Sequence, residues 1–553
     1  MPDYRVLVIG GYGFFGRRLV ERLCRQAGLQ VIVAGRSATR GQALVAALHG
    51  PSKAALASAV LDVNSPALAA RLQELAPQAV VHASGPFQGQ GYHVAEACIA
   101  AGAHYIDLAD GREFVAGIGR LDSAARARSV AVISGASSVP ALSSAAADHL
   151  AAGLARVDHI DIGISPGNRT ERGLATVQAI LSYCGRALPA TDRKPRFGWQ
   201  GSRRHLYPAP VGARLLSPCD VPDLTLLPTR YAGRPSISFG AGLELQPLHR
   251  GMNALALLTR LGLVTDWSAH AATLKRMADG FIRLGSDAGA MHVSVSGQTK
   301  AGRLRTRHWQ LVAAQGDGPF IPTLAAAALI RKLQRGDAAL AGAHPCVGLL
   351  GLQDFVRECE GLHIEMTEPP ATDHASLYEQ VLGPAYAQLA PALQRFHRLK
   401  GHTVLQGSVQ THRPVSLPAR LLAACLGTPR RAASSTLRFE LEAGPDWERW
   451  TRHFPAQTMT SRMRLVDGRI QERLGTARLT FGLSVADGRL SMALQELRFL
   501  GLPCPRWLMP RVVAEETGLG SRLHFHIAAS VPVVGMVARY DGHLDLDSAE
   551  TRS

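Results

Sequence analysis

The sequence predicts an α/β protein: a doubly wound parallel sheet, then an α+β second domain, then a C-terminal α+β domain built on an antiparallel meander. Three observations predict it. Over the first 150 or so residues, short apolar runs alternate with amphipathic stretches, which is the rhythm of βα units. Glycines crowd the junction between the first run and the first helix. After residue 373, apolar and polar residues alternate with period two, and Asp-Gly pairs separate the runs, the signature of antiparallel hairpins.

Size and composition set the outer limits. A chain of 553 residues is too long for one core, so several domains are expected. An apolar fraction of 46% excludes a disordered chain. No segment approaches ~20 uninterrupted apolar residues, so no transmembrane helix is expected. The first strand starts near Tyr4 without a basic, apolar leader, so no signal peptide is expected. Eight cysteines are scattered singly, with no CxxC, which predicts reduced thiols and a cytoplasmic protein. The net charge of +17 comes almost wholly from dispersed arginine. Without a nucleic-acid motif it predicts no nucleic-acid partner. A weak membrane-surface association and a homodimer stay open.

The first strand, Arg5 to Ile9, runs into Gly10, Gly11, Gly13 and Gly16, after which Leu19, Val20 and Leu23 follow at helical spacing. Two frames fit, GxGxxG and GxxGxxG. In either, one glycine turns the chain out of the strand, one admits a phosphate to the backbone, and one packs helix on sheet. Phe14 and Phe15, between the last two glycines, join the candidate cofactor set. The second strand, Val31 to Ala34, ends at Gly35-Arg36-Ser37, with Arg40 nearby. An NAD enzyme usually carries a carboxylate there for the ribose hydroxyls. A guanidinium and a hydroxyl suit a 2′-phosphate instead, so NADP is expected.

The third strand ends at Asp62-Val63, where an adenine usually rests. The fourth ends at Ser84-Gly85-Pro86-Phe87, the fifth is AHYIDLADG and the sixth VAVISGASSVPALS. Ligands in such Rossmann sheets lie at the carboxyl ends of the strands. Asp107 and Asp110, at the end of the fifth, are therefore the candidate acid or base beside the nicotinamide. His104, at the other end of that strand, is read as structural, and Tyr105 or a second-domain residue stays an alternative. No metal is expected: the histidines are dispersed, and the one HxH pair, His524 and His526, has no third ligand nearby. Ser137-Ser138 lacks the GxSxG spacing of a nucleophile elbow. Trp447 and Trp450 are read as core or interface residues.

Taken in order, "GGYGFFGRRL", "AGRS", "SGPFQGQGYHVAEACIAAGAHYIDLADG" and "GASSVPALSS" resemble the NADP-binding domain of the saccharopine dehydrogenase family over Met1 to about Leu150. The resemblance implies a Rossmann domain, an α+β second domain and NADP- or NAD-dependent oxidoreductase activity. It does not identify the substrate. Many relatives continue the fifth strand into a Thr-Gly-Glu-like turn, where this chain has Asp110-Gly111-Arg112-Glu113.

Residues 151–370 mix strands and helices, as expected of a substrate domain that returns to pack on the Rossmann unit. Glu368 to Thr372 reads as a linker. Residues 373–553 begin with a helix from Ser376 to Arg398 and continue into the meander, with Asp467-Gly468 and Asp487-Gly488 at hairpin turns. If helix and sheet close imperfectly, the gap between them is an apolar pocket. "WERWTRHF", "ERLG" and "VARYDGHLDL" resemble an uncharacterised bacterial domain found behind saccharopine dehydrogenase-like domains. The sequence thus reads as a bacterial NADP-dependent oxidoreductase acting on a small-molecule C=N, C=O or activated C=C substrate. The alternatives are a non-catalytic NADP-binding protein with a C-terminal ligand- or partner-binding domain, and a lipid or polyketide enoyl reductase.

Overall fold

The computed structural model describes residues 3–189, 196–300, 303–337, 340–399, 401–444, 447–455 and 457–550. Met1 and Pro2, at the start of the expected first domain, lie outside the described residues. Six N-terminal strands, β1 (Tyr4–Ile9), β2 (Leu29–Gly35), β3 (Ala55–Val60), β4 (Ala79–His82), β5 (His104–Asp107) and β6 (Ala131–Ser134), form a parallel sheet in the order β6-β5-β4-β1-β2-β3. β1 lies between β2 and β4, parallel to both, with Val6 opposite Val31 and Ala79. The strand order reverses at this point, so the glycine turn sits at the topological switch point.

Both faces of the sheet are covered, so β1 is apolar throughout rather than alternating. Val6 and Val8 pack on helix α1 (Phe14–Leu23) and the helix Ile321–Gln334. Leu7 and Ile9 face the helices Leu68–Leu75 and His93–Ala101. The sheet is not complete at residue 150. The strand Gly342–Pro345 adds to it beside β6, in parallel. Arg22 of α1, 5% exposed, donates to the carbonyls of Glu358 and Glu360, tying the returning segment to α1.

The second sheet is mixed, and Leu154–Ser165 lies at its centre. Ile160, Ile162, Val293, Val295 and Leu311 point into the same core that fills the α1 side of the first sheet, so one apolar core joins the two domains. The opposite face carries His159, Asp161, Ser294, Ser296 and His308. Of residues 368–372, expected as a linker, 368–371 lie between two short strands and Thr372 opens the second: Ile364–Thr367 and Thr372–His374 both pair with Leu304–Ala313.

The C-terminal meander closes on itself. Ten antiparallel strands run up and down in chain order from Gly401–Thr411 to Gly535–Glu550, and the last pairs with the first. Closure removes the exposed edges an open meander would leave. The expected helix from Ser376 to Arg398 is two helices, Leu377–Leu382 and Pro391–His397, joined by a 3₁₀ segment. Gly383-Pro384 and Pro391 break it, because proline cannot supply the amide an interior turn needs. The pair plugs one end of the barrel. Ala390 N donates to Gly488 O at 2.9 Å, and Leu393 and Phe396 pack beneath Trp450. The helix Leu417–Leu426 covers the other end against the last strand, with Ala419 and Ala423 on Val537. Among the described residues no helix is long and apolar enough to cross a membrane.

Asp107 ends β5 and is fully buried. Its Oδ1 accepts from Ala109 N, Gly135 N and Ser134 Oγ at 3.0, 2.8 and 3.0 Å, fastening the β5 loop to the β6 loop. Burial pushes its pKa up to about 6 from 3.8 against these bonds. A raised carboxyl value means the native state holds its proton longer than the unfolded chain. The stability from this group is therefore fully present below about pH 4 and lost as pH rises to about 6, by about 3 kcal/mol for a value about two units above normal. Asp107→Asn cannot ionise. In denaturant melts its stability relative to wild type should improve steadily from pH 4 to pH 6; parallel profiles would contradict the assignment.

Candidate functional site

The site begins at the turn after β1. The amides of Gly10 and Gly11 both donate to Ala34 O, at 2.9 and 3.1 Å, and Gly13 N returns to Gly10 O at 2.8 Å. Gly10 has φ +73°, a left-handed conformation that side chains disfavour. Gly16 passes so close to this turn that a Cβ would lie 2.1 Å from Gly10 O. Gly13 precedes α1 and brings no capping side chain. The first-turn amides of Phe14, Phe15 and Gly16 are left without the side-chain acceptor that caps most helices, the arrangement that receives a phosphate. Phe14 and Phe15 meet edge to face, centroids 4.8 Å apart, and the second-domain Gly173 packs against Phe14.

The end of β2 supplies cations. Arg36 and Arg40 are both exposed, and among the described residues neither has a carboxylate within 4.0 Å. Arg40 lies over the Tyr12 ring, 4.7 Å from its centroid. Tyr12 Oη accepts from Ser37 N at 2.8 Å, and Ser37 caps the next helix by accepting from Arg40 N at 3.3 Å. Tyr12 was not singled out in the sequence. The signal was Gly35: the Tyr12 ring occupies the space where a Cβ would stand, 2.4 Å from its hydroxyl. Two unpaired guanidinium groups beside a hydroxyl fit a 2′-phosphate, and the open amides of α1 fit a pyrophosphate. The residues present therefore suit NADP.

The other sequence candidates fall along the same carboxyl edge. β3 stops at Val60, so Asp62 and Val63 lie in the loop beyond it, where Asp62 accepts from Asn64 N at 3.0 Å. Ser84 abuts the glycine turn, its Cβ 3.1 Å from where a Gly10 Cβ would be. Its Oγ pairs with His82 Nε2 at 2.9 Å. Gly85 and Pro86 continue the loop under Phe87. Asp107 is enclosed by its own loops and presents no surface.

Asp110 is placed differently. It is half-buried, and its Oδ1 accepts from Gln88 Nε2 at 3.1 Å. Burial raises its pKa, opposed by the Gln88 bond. The second domain brings Tyr183 to the same region: burial, together with Cys219, Asp110 and Asp220, pushes the phenol's pKa far up. Arg112 donates to Asp220 at 2.6 Å and closes the seam between the domains. Tyr183 and Cys219 gave no local sequence signal, because only the tertiary fold brings them together and within electrostatic range of Asp110. The carboxyl edge of the sheet thus gathers the open α1 amides, two exposed arginines beside a hydroxyl, and the Asp110 carboxyl, with the Tyr183 phenol of the second domain in electrostatic range.

Residues 6–133 match the family described as the saccharopine dehydrogenase NADP-binding domain. Residues 389–544, most of the barrel, match a domain of unknown function, DUF4166. No curated protein matches the chain significantly. Among solved structures, apo saccharopine dehydrogenase (L-Glu forming) from Saccharomyces cerevisiae is similar at 13% identity and a TM-score of 0.49, covering 66% of this chain and 100% of that one. An amine dehydrogenase from Mycobacterium smegmatis is similar at 13% identity and a TM-score of 0.35, covering 62% and 95%. The glycine turn, the basic end of β2 and the parallel sheet lie within residues 6–133, the segment matched as a saccharopine dehydrogenase NADP-binding domain, and a separate DUF4166 domain is matched on the same chain.

Proposed function

We propose that the protein is an NADP-dependent oxidoreductase that moves a hydride to or from a C=N, C=O or activated C=C bond of a small molecule. The observation that carries this is Asp110, a carboxyl at the open edge of the NADP-binding sheet, oriented by Gln88 Nε2 at 3.1 Å near the seam that Arg112 and Asp220 close between the domains. When bound, the nicotinamide supplies the hydride. The chain does the rest. The α1 amides and Gly13 hold the pyrophosphate, and Arg36, Ser37 and Arg40 hold the 2′-phosphate. The Asp110 carboxyl gives or takes the proton that balances the hydride, at the heteroatom of a C=N or C=O bond or at the α-carbon of an activated C=C bond, with Gln88 fixing its orientation. Tyr183 and the Arg112–Asp220 pair keep the domains closed and water out.

A carboxyl whose pKa is raised keeps its proton to higher pH, which suits a general acid. Reduction should therefore slow as pH rises through the Asp110 value, and reach a plateau below it.

Two experiments test the proposal. Arg36→Asp should weaken NADPH binding ten- to a hundredfold, the loss of about 1.5–3 kcal/mol of charge-assisted hydrogen bonding, and should leave NADH binding unchanged or improved. Equal weakening of both cofactors would contradict the role of Arg36. Asp110→Asn should lower the rate of NADPH oxidation against a panel of aldehydes, ketones and imines by about 10²-fold or more, with NADPH affinity within about twofold of wild type. An unchanged rate would move the proton donor elsewhere. A wild-type protein that binds NADPH and oxidises it with no member of the panel would favour the non-catalytic alternative.

A further inference from the structure

The barrel contains a cavity of its own, of about 250 Å³, lined by none of the residues of the nucleotide-binding sheet. The wall is almost wholly apolar, with Met459, Leu479, Phe481, Met492, Ile527 and Ala529 among its residues. A fully packed core would have filled this space, since interiors of this kind pack to crystal-like density. The volume corresponds to roughly eight methylene-sized groups, at about 30 Å³ for a water-sized unit.

One buried charge faces the cavity without an acidic partner. Arg452 is 9% exposed. Its guanidinium makes one hydrogen bond, to Ser461 Oγ at 3.2 Å, and lies over the Trp450 and Phe439 rings at 5.2 and 5.8 Å. Among the described residues no carboxylate comes within 4.0 Å of it. Two acids also line the cavity, and neither serves it. Glu516 is bonded to His397 at 2.8 Å. Glu472 acts with Arg452 on the Tyr378 and Tyr540 phenols but stays beyond 4.0 Å of the Arg452 guanidinium. The Tyr540 hydroxyl lines the same space, and the Arg452 charge acts on it, opposing the rise that burial causes. A buried cation with free N–H donors calls for an anionic acceptor.

The wall also has an opening. The strands Arg489–Phe499 and Arg511–Leu519 pair only over Leu490–Met492. Beyond that seam they part, and the cavity reaches Leu497, Phe499, Leu508 and Val512. The rim there is apolar and exposed: Leu500, Leu502 and Trp507 are 70%, 73% and 72% accessible.

We propose that the barrel binds a medium-length aliphatic carboxylate, its chain in the apolar cavity and its head group on Arg452, entering through the parted seam. The proposal does not depend on the oxidoreductase reading, and nucleotide binding plays no part in its test. The test uses the full-length protein and displacement of an apolar fluorescent dye by decanoate, methyl decanoate and decanol. Wild type should bind decanoate at one site per chain, at least about tenfold tighter than decanol or the ester, a difference of about 1.4 kcal/mol. Arg452→Met should remove that preference and leave decanol affinity within about twofold. Ala514→Trp, which fills the cavity from a wall position, should abolish binding of all three. Failure of decanoate to bind wild type, or unchanged binding by Ala514→Trp, overturns the site. Equal affinities of wild type for decanoate and decanol overturn the head-group assignment even if Arg452→Met does not fold.

Discussion

A Cβ on Gly16 would stand 2.1 Å from the Gly10 carbonyl oxygen, and this close approach is the constraint on which the N-terminal half depends. It lets α1 start directly under the end of β1, with its amides open toward the strand ends. The position of α1 in turn sets where Ile321–Gln334 can lie, because Gln26 and Arg22 at its far end are bound to Ala327, Glu358 and Glu360. That returning helix brings Gly342–Pro345 into the sheet beside β6. The same core continues under the second sheet. Asp220 therefore meets Arg112, two residues from Asp110, from a base that shares one core with the first domain, as positioning of reacting groups requires.

What the sequence made legible was local. Buried apolar runs, the glycine spacing and Arg36-Ser37 after β2 each sit within a few residues of what they specify. What it hid was long-range. Gly342–Pro345 carries a glycine and a proline in four residues, which reads as a loop, yet it pairs along β6. Asp467-Gly468 and Asp487-Gly488 marked hairpins, but closure of the barrel depends on pairing Gly401–Thr411 with Gly535–Glu550, and no local pattern reports that. The apolar pocket expected between helix and meander is present: Tyr378 of the helix Leu377–Leu382 lines it together with the barrel strands. Asp110 was visible as a strand-end carboxylate; its neighbours Tyr183 and Cys219 were not.

The barrel rests on the polar face of the second sheet rather than on the nucleotide domain. Asp161 is the anchor of that face. Burial would raise its pKa, but the bond from His292 and the paired charge of Arg203 outweigh it and hold it at about 2. His205 stacks on His292 at 3.7 Å. Trp447, Arg462 and Arg464 of the barrel face this surface across a cleft of about 630 Å³. The seam is thus polar, unlike the continuous apolar core that unites the first two domains, and the barrel is built as a unit with its own core.

The exposed arginines at the end of β2 fit selection of the nucleotide by its 2′-phosphate. Calorimetric titration of the intact protein with 2′,5′-ADP and with 5′-ADP isolates that group. The account predicts that the 2′-phosphate tightens binding by at least about tenfold, or about 1.4 kcal/mol, and that the gain shrinks with salt because Arg36 and Arg40 are exposed. Equal affinities for the two compounds would contradict it.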